Sequence, residues 1–161
     1  PGRTGVEIGV ETIRRLAEAC PNVVAIKEAG GSADRVSQIR QALPPAFEIL
    51  SGDDALTLPF LSAGAVGVIS VASNIIPREV SDLVRTALDG DYAKARAIHE
   101  TWYPLFRDLF VETNPVPIKT ALALQNRIAL ELRLPLCEMS PENARKLKAT
   151  LANLNLVQSA N

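Results

Sequence analysis

Aromatic side chains are scarce in this chain: four Phe, two Tyr and one Trp make up 4% of its 161 residues. Any core must therefore be built from Ala, Val, Ile and Leu, and with 47% hydrophobic and 22% charged residues the composition is globular rather than disordered. Charge of one sign is equally scarce. Lys and Arg number 17 against 18 Asp and Glu, for a formal net charge of -1. That balance argues against a general nucleic-acid binder, which carries a basic excess, and leaves room only for a local basic site. No apolar run reaches the roughly 18 residues of a membrane-spanning helix, so no membrane partner is expected. The start shows no charged-then-apolar leader, and position 1 is Pro rather than Met. The expectation is a chain that was processed or that begins inside a longer protein. The two cysteines, Cys20 and Cys137, have no Cys-x-x-Cys or Cys/His spacing, so no metal site is expected. They are read as reduced thiols in apolar helical contexts of a cytoplasmic protein, a disulfide between them being the alternative. No Gly-rich nucleotide fingerprint occurs, so no cofactor is expected.

What is present is an alternation. Helical spacing over residues 9–20 is stopped by Pro21-Asn22, and the apolar run Val23-Val24-Ala25-Ile26 follows, ending in Lys27. Short apolar runs of this kind suit strands buried on both faces of a parallel sheet. Ser32 is placed to cap a helix that runs to about Leu43, where Pro44-Pro45 breaks it. A second strand is expected over residues 47–51, a helix over 55–63 with Pro59 either in its first turn or kinking it, and a third strand over 66–71. Beyond Asn74 only helices are expected, over residues 77–88, 92–111, 115–126 and 141–156, with 127–136 ambiguous. Strands alternating with helices imply parallel pairing through right-handed crossovers. The fold class is therefore α/β, with residues 1–76 holding three strand-helix units and residues 77–161 a helical region. Three strands leave two open edges, and a complete (β/α)₈ barrel needs about 250 residues. The chain is read as the C-terminal part of such a TIM barrel, its last three strands followed by helices. A small α/β domain that stands alone is the alternative.

Lys27 is the leading candidate for chemistry. It closes an apolar strand, at the end where barrel enzymes carry their sites. An amine held in apolar surroundings loses solvation of its charged form and becomes a nucleophile toward carbonyls. A solvated lysine at a strand end is the commoner case, and a non-catalytic interaction module is the reading that goes with it. Arg3, in a Gly/Pro-flanked loop, could grip a carboxylate with its planar fork. Asp53 or Asp54, after Ser51-Gly52, suits capping of the next helix. Gly67 inside the third strand points to a close approach of another backbone or a ligand, with Ile69 and Ser70 near the strand's end. His99 is read as a surface or packing residue. Trp102, Leu105, Phe106, Leu109 and Phe110 are read as one apolar helix face.

Several segments together resemble the dihydrodipicolinate synthase family, within the N-acetylneuraminate lyase superfamily of Schiff-base aldolases. They are Pro1-Gly2-Arg3-Thr4-Gly5, Ala25-Ile26-Lys27-Glu28-Ala29, Leu50-Ser51-Gly52-Asp53-Asp54, the run from Gly64 to Val71, and Glu112-Thr113-Asn114-Pro115-Val116-Pro117-Ile118-Lys119. The resemblance implies a (β/α)₈ barrel with C-terminal helices. It implies a lyase condensing pyruvate with aspartate semialdehyde in lysine and diaminopimelate biosynthesis, and a homodimer or homotetramer in the full-length parent. Lys27 falls on the Schiff-base lysine, Arg3 on a carboxylate-binding arginine, and Gly52 and Ile69 on positions lining the pyruvate pocket. A sister aldolase acting on N-acetylneuraminate or a 2-keto-3-deoxy sugar acid would use Lys27 in the same way. Gly30 departs from the Ser or Thr usual in the family at that position. The family's proton-relay tyrosine would precede Pro1, so the 161 residues alone are expected to be inactive or nearly so.

Overall fold

The computed structural model describes residue 2 and residues 4–158. Three short strands, β1 (Ala25–Glu28), β2 (Glu48–Ser51) and β3 (Gly67–Val68), form a parallel sheet in the order β1-β2-β3. Helices α1 (Val10–Ala19), α2 (Ala33–Ala42) and α3 (Thr57–Ser62) alternate with them. A 3₁₀ turn at Ala72–Asn74 and then α4 (Pro77–Leu88), α5 (Tyr92–Asp108), α6 (Val116–Leu124) and α7 (Pro141–Asn153) complete the order, with no further strand among the described residues. The chain divides into two compact units, Pro1–Ser70 with Asp82–Arg96, and Val71–Ser81 with Ala97–Asn161.

In the first unit the parallel ladder pairs Ala25, Ile26, Lys27 and Glu28 with Glu48, Ile49, Leu50 and Ser51. Leu50 and Ser51 pair in turn with Gly67 and Val68. The third strand is shorter than the apolar run 66–71, because Val71 already adopts helical angles leading into the 3₁₀ turn. Its flanks still bond to β2, with Val66 N–H donating to the Ile49 carbonyl (2.9 Å) and Ile69 N–H to the Ser51 carbonyl (2.8 Å). Val36, Ile39 and Leu43 recur at helical spacing and bury one stripe of α2 and its end. They join Ile13, Phe47, Ile49, Phe60 and Ala65 in a core that holds a single aromatic from each of two segments. Local signals set the helix ends. Ser32 accepts from Arg35 N–H at 3.4 Å, as its position predicts. Pro59 sits in the first turn of α3, and Gly64, at φ +103°, follows its end.

In the second unit the fully buried Asp108 is the main polar tie. Its carboxylate accepts from Thr150 Oγ1 of α7 at 2.6 Å and from Arg107 Nε at 2.7 Å, and pairs with Lys146 Nζ at 3.3 Å. Glu112 accepts from Ser140 N–H (3.0 Å), Ser140 Oγ (2.9 Å) and Asn143 Nδ2 (2.8 Å), which fastens the start of α7. The apolar face expected of α5 is only partly formed. Leu105, Phe106 and Leu109 are buried, but the helix stops at Asp108, and Phe110 beyond it is 41% exposed. His99 is a packing residue, half-buried beside the rings of Tyr103 and Phe106. Burial lowers its pKa from the ordinary imidazole value. Both cysteines are free thiols, and Cys137 is exposed outside any helix, contrary to the apolar helical setting expected for it. The ambiguous stretch 127–136 forms neither helix nor strand.

Two measurements test this fold. Ile39 is fully buried, so Ile39→Ala should lower unfolding free energy by about 2–5 kcal/mol in urea titration. Burial alone would raise the pKa of Asp108, but donation from Arg107, Thr150 and Lys146 outweighs it and holds the carboxyl below its ordinary value. A group with a depressed folded pKa contributes stability that is complete above the unfolded value and is lost as pH falls through the folded one. Thermal melts should therefore show acid destabilisation beginning near the ordinary carboxylate range and deepening below it, with a shallower slope in Asp108→Asn.

Candidate active site

Successive residues of a strand point to opposite faces of the sheet. At the carboxyl ends of β1 and β2 this sends Glu28 and Ser51 to the helix-covered side, where both are buried. Lys27, paired with Leu50, which pairs with Gly67, lies on the other face. Gly52 and Ile69, each two residues further along, continue on that same face. Three of the four residues singled out in the sequence are thus brought to one end of one face. Arg3 lies outside the described residues.

The contact between Lys27 and Gly52 is close. A Cβ on Gly52 would stand 3.0 Å from Lys27 Cε, 3.0 Å from the Glu28 carbonyl oxygen and 2.7 Å from Ala29 Cβ. Only glycine lets the lysine stem lie across the end of β2. Gly52 N–H donates to the Glu28 carbonyl at 2.8 Å and locks the two strand ends together. A Cβ on Gly67 would meet Leu50 Cδ2 at 3.0 Å, so the close neighbour of that glycine is a side chain and not the backbone or ligand expected.

The surroundings of Lys27 correct one expectation. Its side chain is exposed rather than enclosed by apolar groups. The face it shares is open, with Ile69 47% exposed and Val24, at the start of β1, 59% exposed. Lys27 also borders a groove of about 390 Å³ lined by Thr4, Ile8, Ile26, Ala29 and Gly30 among others.

Polar groups surround the strand ends. Asp53 Oδ1 accepts from Ala55 N–H at 2.8 Å and Leu56 N–H at 3.3 Å, so it holds the turn that leads into α3 rather than capping the helix, whose N-cap position is Leu56. Asp54 is buried and accepts from Ser70 Oγ, which joins the end of β2 to the segment after β3. Glu28 accepts from Gly30 N–H at 2.6 Å and from Arg35 Nε at 2.8 Å. Arg35 also pairs with Glu7 at 3.0 Å and donates to the Ile8 carbonyl. The Glu28–Arg35 pair went unnoticed in the sequence; an acid closing an apolar strand, with an arginine seven residues later, is the signal that could have found it. Among the described residues, no cluster of His, Cys, Asp or Glu could hold a metal ion. No described helix is long and apolar enough to cross a membrane.

A parallel sheet with alternating helices, followed in the chain by further helices, defines this chain as part of a (β/α)₈ barrel. The family model for the Dihydrodipicolinate synthetase family matches residues 1–154, and the chain belongs to that family. It is 53% identical over 156 residues to the 4-hydroxy-tetrahydrodipicolinate synthase of Aquifex aeolicus, covering 97% of this chain and 53% of the relative. Its structure is similar to that of the enzyme of the same name from Methylacidiphilum fumariolicum SolV. That similarity has a TM-score of 0.95 at 62% identity, over 96% of this chain and 52% of the other. A dihydrodipicolinate synthase from Acinetobacter baumannii, solved in complex with pyruvate, matches with a TM-score of 0.93 at 35% identity, over 98% of this chain and 54% of that one. The chain spans about half the length of the curated relatives it matches.

The glycine contact has a measurable consequence. Gly52→Ala forces a methyl against Ala29 and a backbone oxygen, and should destabilise the chain by about 1–3 kcal/mol in chemical denaturation.

Proposed function

We propose that this chain carries the imine-forming part of a lyase that condenses pyruvate with aspartate semialdehyde, giving 4-hydroxy-tetrahydrodipicolinate in lysine and diaminopimelate biosynthesis. The observation that carries the reading is the close packing of the Lys27 stem over Gly52 at the carboxyl end of the sheet, in a chain of this family. The neutral Lys27 amine attacks the keto carbon of pyruvate, and the carbinolamine loses water to give a protonated imine. The imine withdraws electrons, so a methyl proton is lost and an enamine forms. The enamine carbon then bonds to the aldehyde carbon, whose oxygen takes up a proton, and the semialdehyde's own amine attacks the re-formed imine carbon, closing the ring and releasing the Lys27 amine. Gly52 and Ile69 border the position of the keto acid, and Arg3 is proposed to hold a carboxylate. Each proton transfer needs a positioned acid or base. The family's relay tyrosine has no counterpart in these residues, and Lys27 stands open to water here, so the 161 residues alone are proposed to turn over little. A metal has no part in this sequence of steps.

The test is reductive trapping in the complete polypeptide. Borohydride with pyruvate should leave a stable adduct on Lys27, located by peptide mass spectrometry, and Lys27→Arg should abolish it. Absence of an adduct across neutral pH would favour a non-catalytic module. Turnover with N-acetylmannosamine or a sugar aldehyde in place of aspartate semialdehyde would move the assignment to a sister aldolase.

A further inference from the structure

Lys27 is held by what lies on the far side of its own strand. Its neighbour Glu28 points the other way and is almost wholly buried, its side chain 3% exposed. A buried carboxylate is stable only when paired and hydrogen-bonded. Glu28 meets both conditions locally. One oxygen accepts the Gly30 N–H at 2.6 Å, which folds the β1–α2 connection back onto the strand end. The other accepts Arg35 Nε at 2.8 Å, from the first turn of α2. Arg35, 14% exposed, then reaches Glu7 at 3.0 Å and the Ile8 carbonyl, in the segment before α1. Three segments therefore converge on one guanidinium directly behind the lysine.

We propose that the Glu28–Arg35 pair is a positioning device for Lys27. It fixes the end of β1, so the lysine leaves the backbone in one direction, over Gly52. Gly30 belongs to the same device. A Cβ there would stand 2.7 Å from Glu28 Oε1 and would also collide with Glu7 Oε1, so a side chain at this position requires both carboxylates to shift. Neither Glu28 nor Arg35 touches the keto acid. Both act through the direction of the Lys27 stem. The inference rests on the imine-forming role proposed for Lys27.

The test compares borohydride trapping of pyruvate in the complete polypeptide and two variants. Glu28→Gln combined with Arg35→Met removes both charges and leaves neither buried unpaired. Glu28→Asp keeps the ion pair but draws the carboxylate back from Gly30 N–H. The maximal trapping rate of the double variant should fall about tenfold or more, because misdirection of a nucleophile costs rate steeply. Glu28→Asp should slow by about threefold on the same grounds. The pyruvate concentration for half-maximal trapping should stay within about twofold, since neither residue binds substrate. Rates are taken per folded molecule, with the folded fraction measured by circular dichroism. Trapping at the unaltered rate in either folded variant overturns the proposal while leaving the role of Lys27 intact. A shift in half-saturation as large as the loss of rate also overturns it. No adduct in the unaltered protein overturns the role of Lys27 and this inference with it.

Discussion

A residue in a strand can face only one side of its sheet, and its neighbour must face the other. At the end of β1 that constraint divides the labour between two adjacent side chains. Lys27 is left on the open face and Glu28 is driven into the helix-covered layer. The same division recurs on β2, where Ser51 is buried and Gly52 stands opposite the lysine stem. Register then does the rest. Pairing of Lys27 with Leu50, and of Leu50 with Gly67, places the ends of three strands at one level. A slip of one residue would exchange the faces and bury the amine behind the sheet.

The second unit is organised by long-range polar ties rather than by a sheet. Asp108 joins the end of α5 to α7 through Thr150, and Glu112 holds the first residues of α7 through Ser140 and Asn143. Ser140 plays two parts, accepting from Asn143 N–H as a helix cap while donating to Glu112. These ties orient α7, which has no aromatic side chain of its own to interlock with its neighbours. Gln125, donating to the Leu156 carbonyl at 2.9 Å, ties the end of α6 to the turn after α7 in the same manner.

Much of the architecture could be read from residue order. The apolar run before Lys27, the prolines after Leu43 and the Gly64 stop are local signals, and local signals set element type and approximate ends. Parallel pairing followed from alternation alone. Gly52 and Ile69 were legible through resemblance, and the structure brings them to the face of Lys27. What stayed hidden depends on neighbours distant in sequence. Cover for Lys27 was inferred from its own strand, yet exposure is decided by everything facing that strand. Phe110 was assigned to a helix face because its spacing fits, but the helix ends at Asp108, whose carboxylate is engaged by Arg107 and Thr150. The Glu28–Arg35 contact spans a turn whose path no periodicity reveals.

The surroundings of Gly30 leave no room for a side chain as they stand. The carboxylates of Glu7 and Glu28 already fill the space a side chain would need. Positions 7, 28 and 30 are thus coupled through space: a larger residue at 30 requires both acids to move.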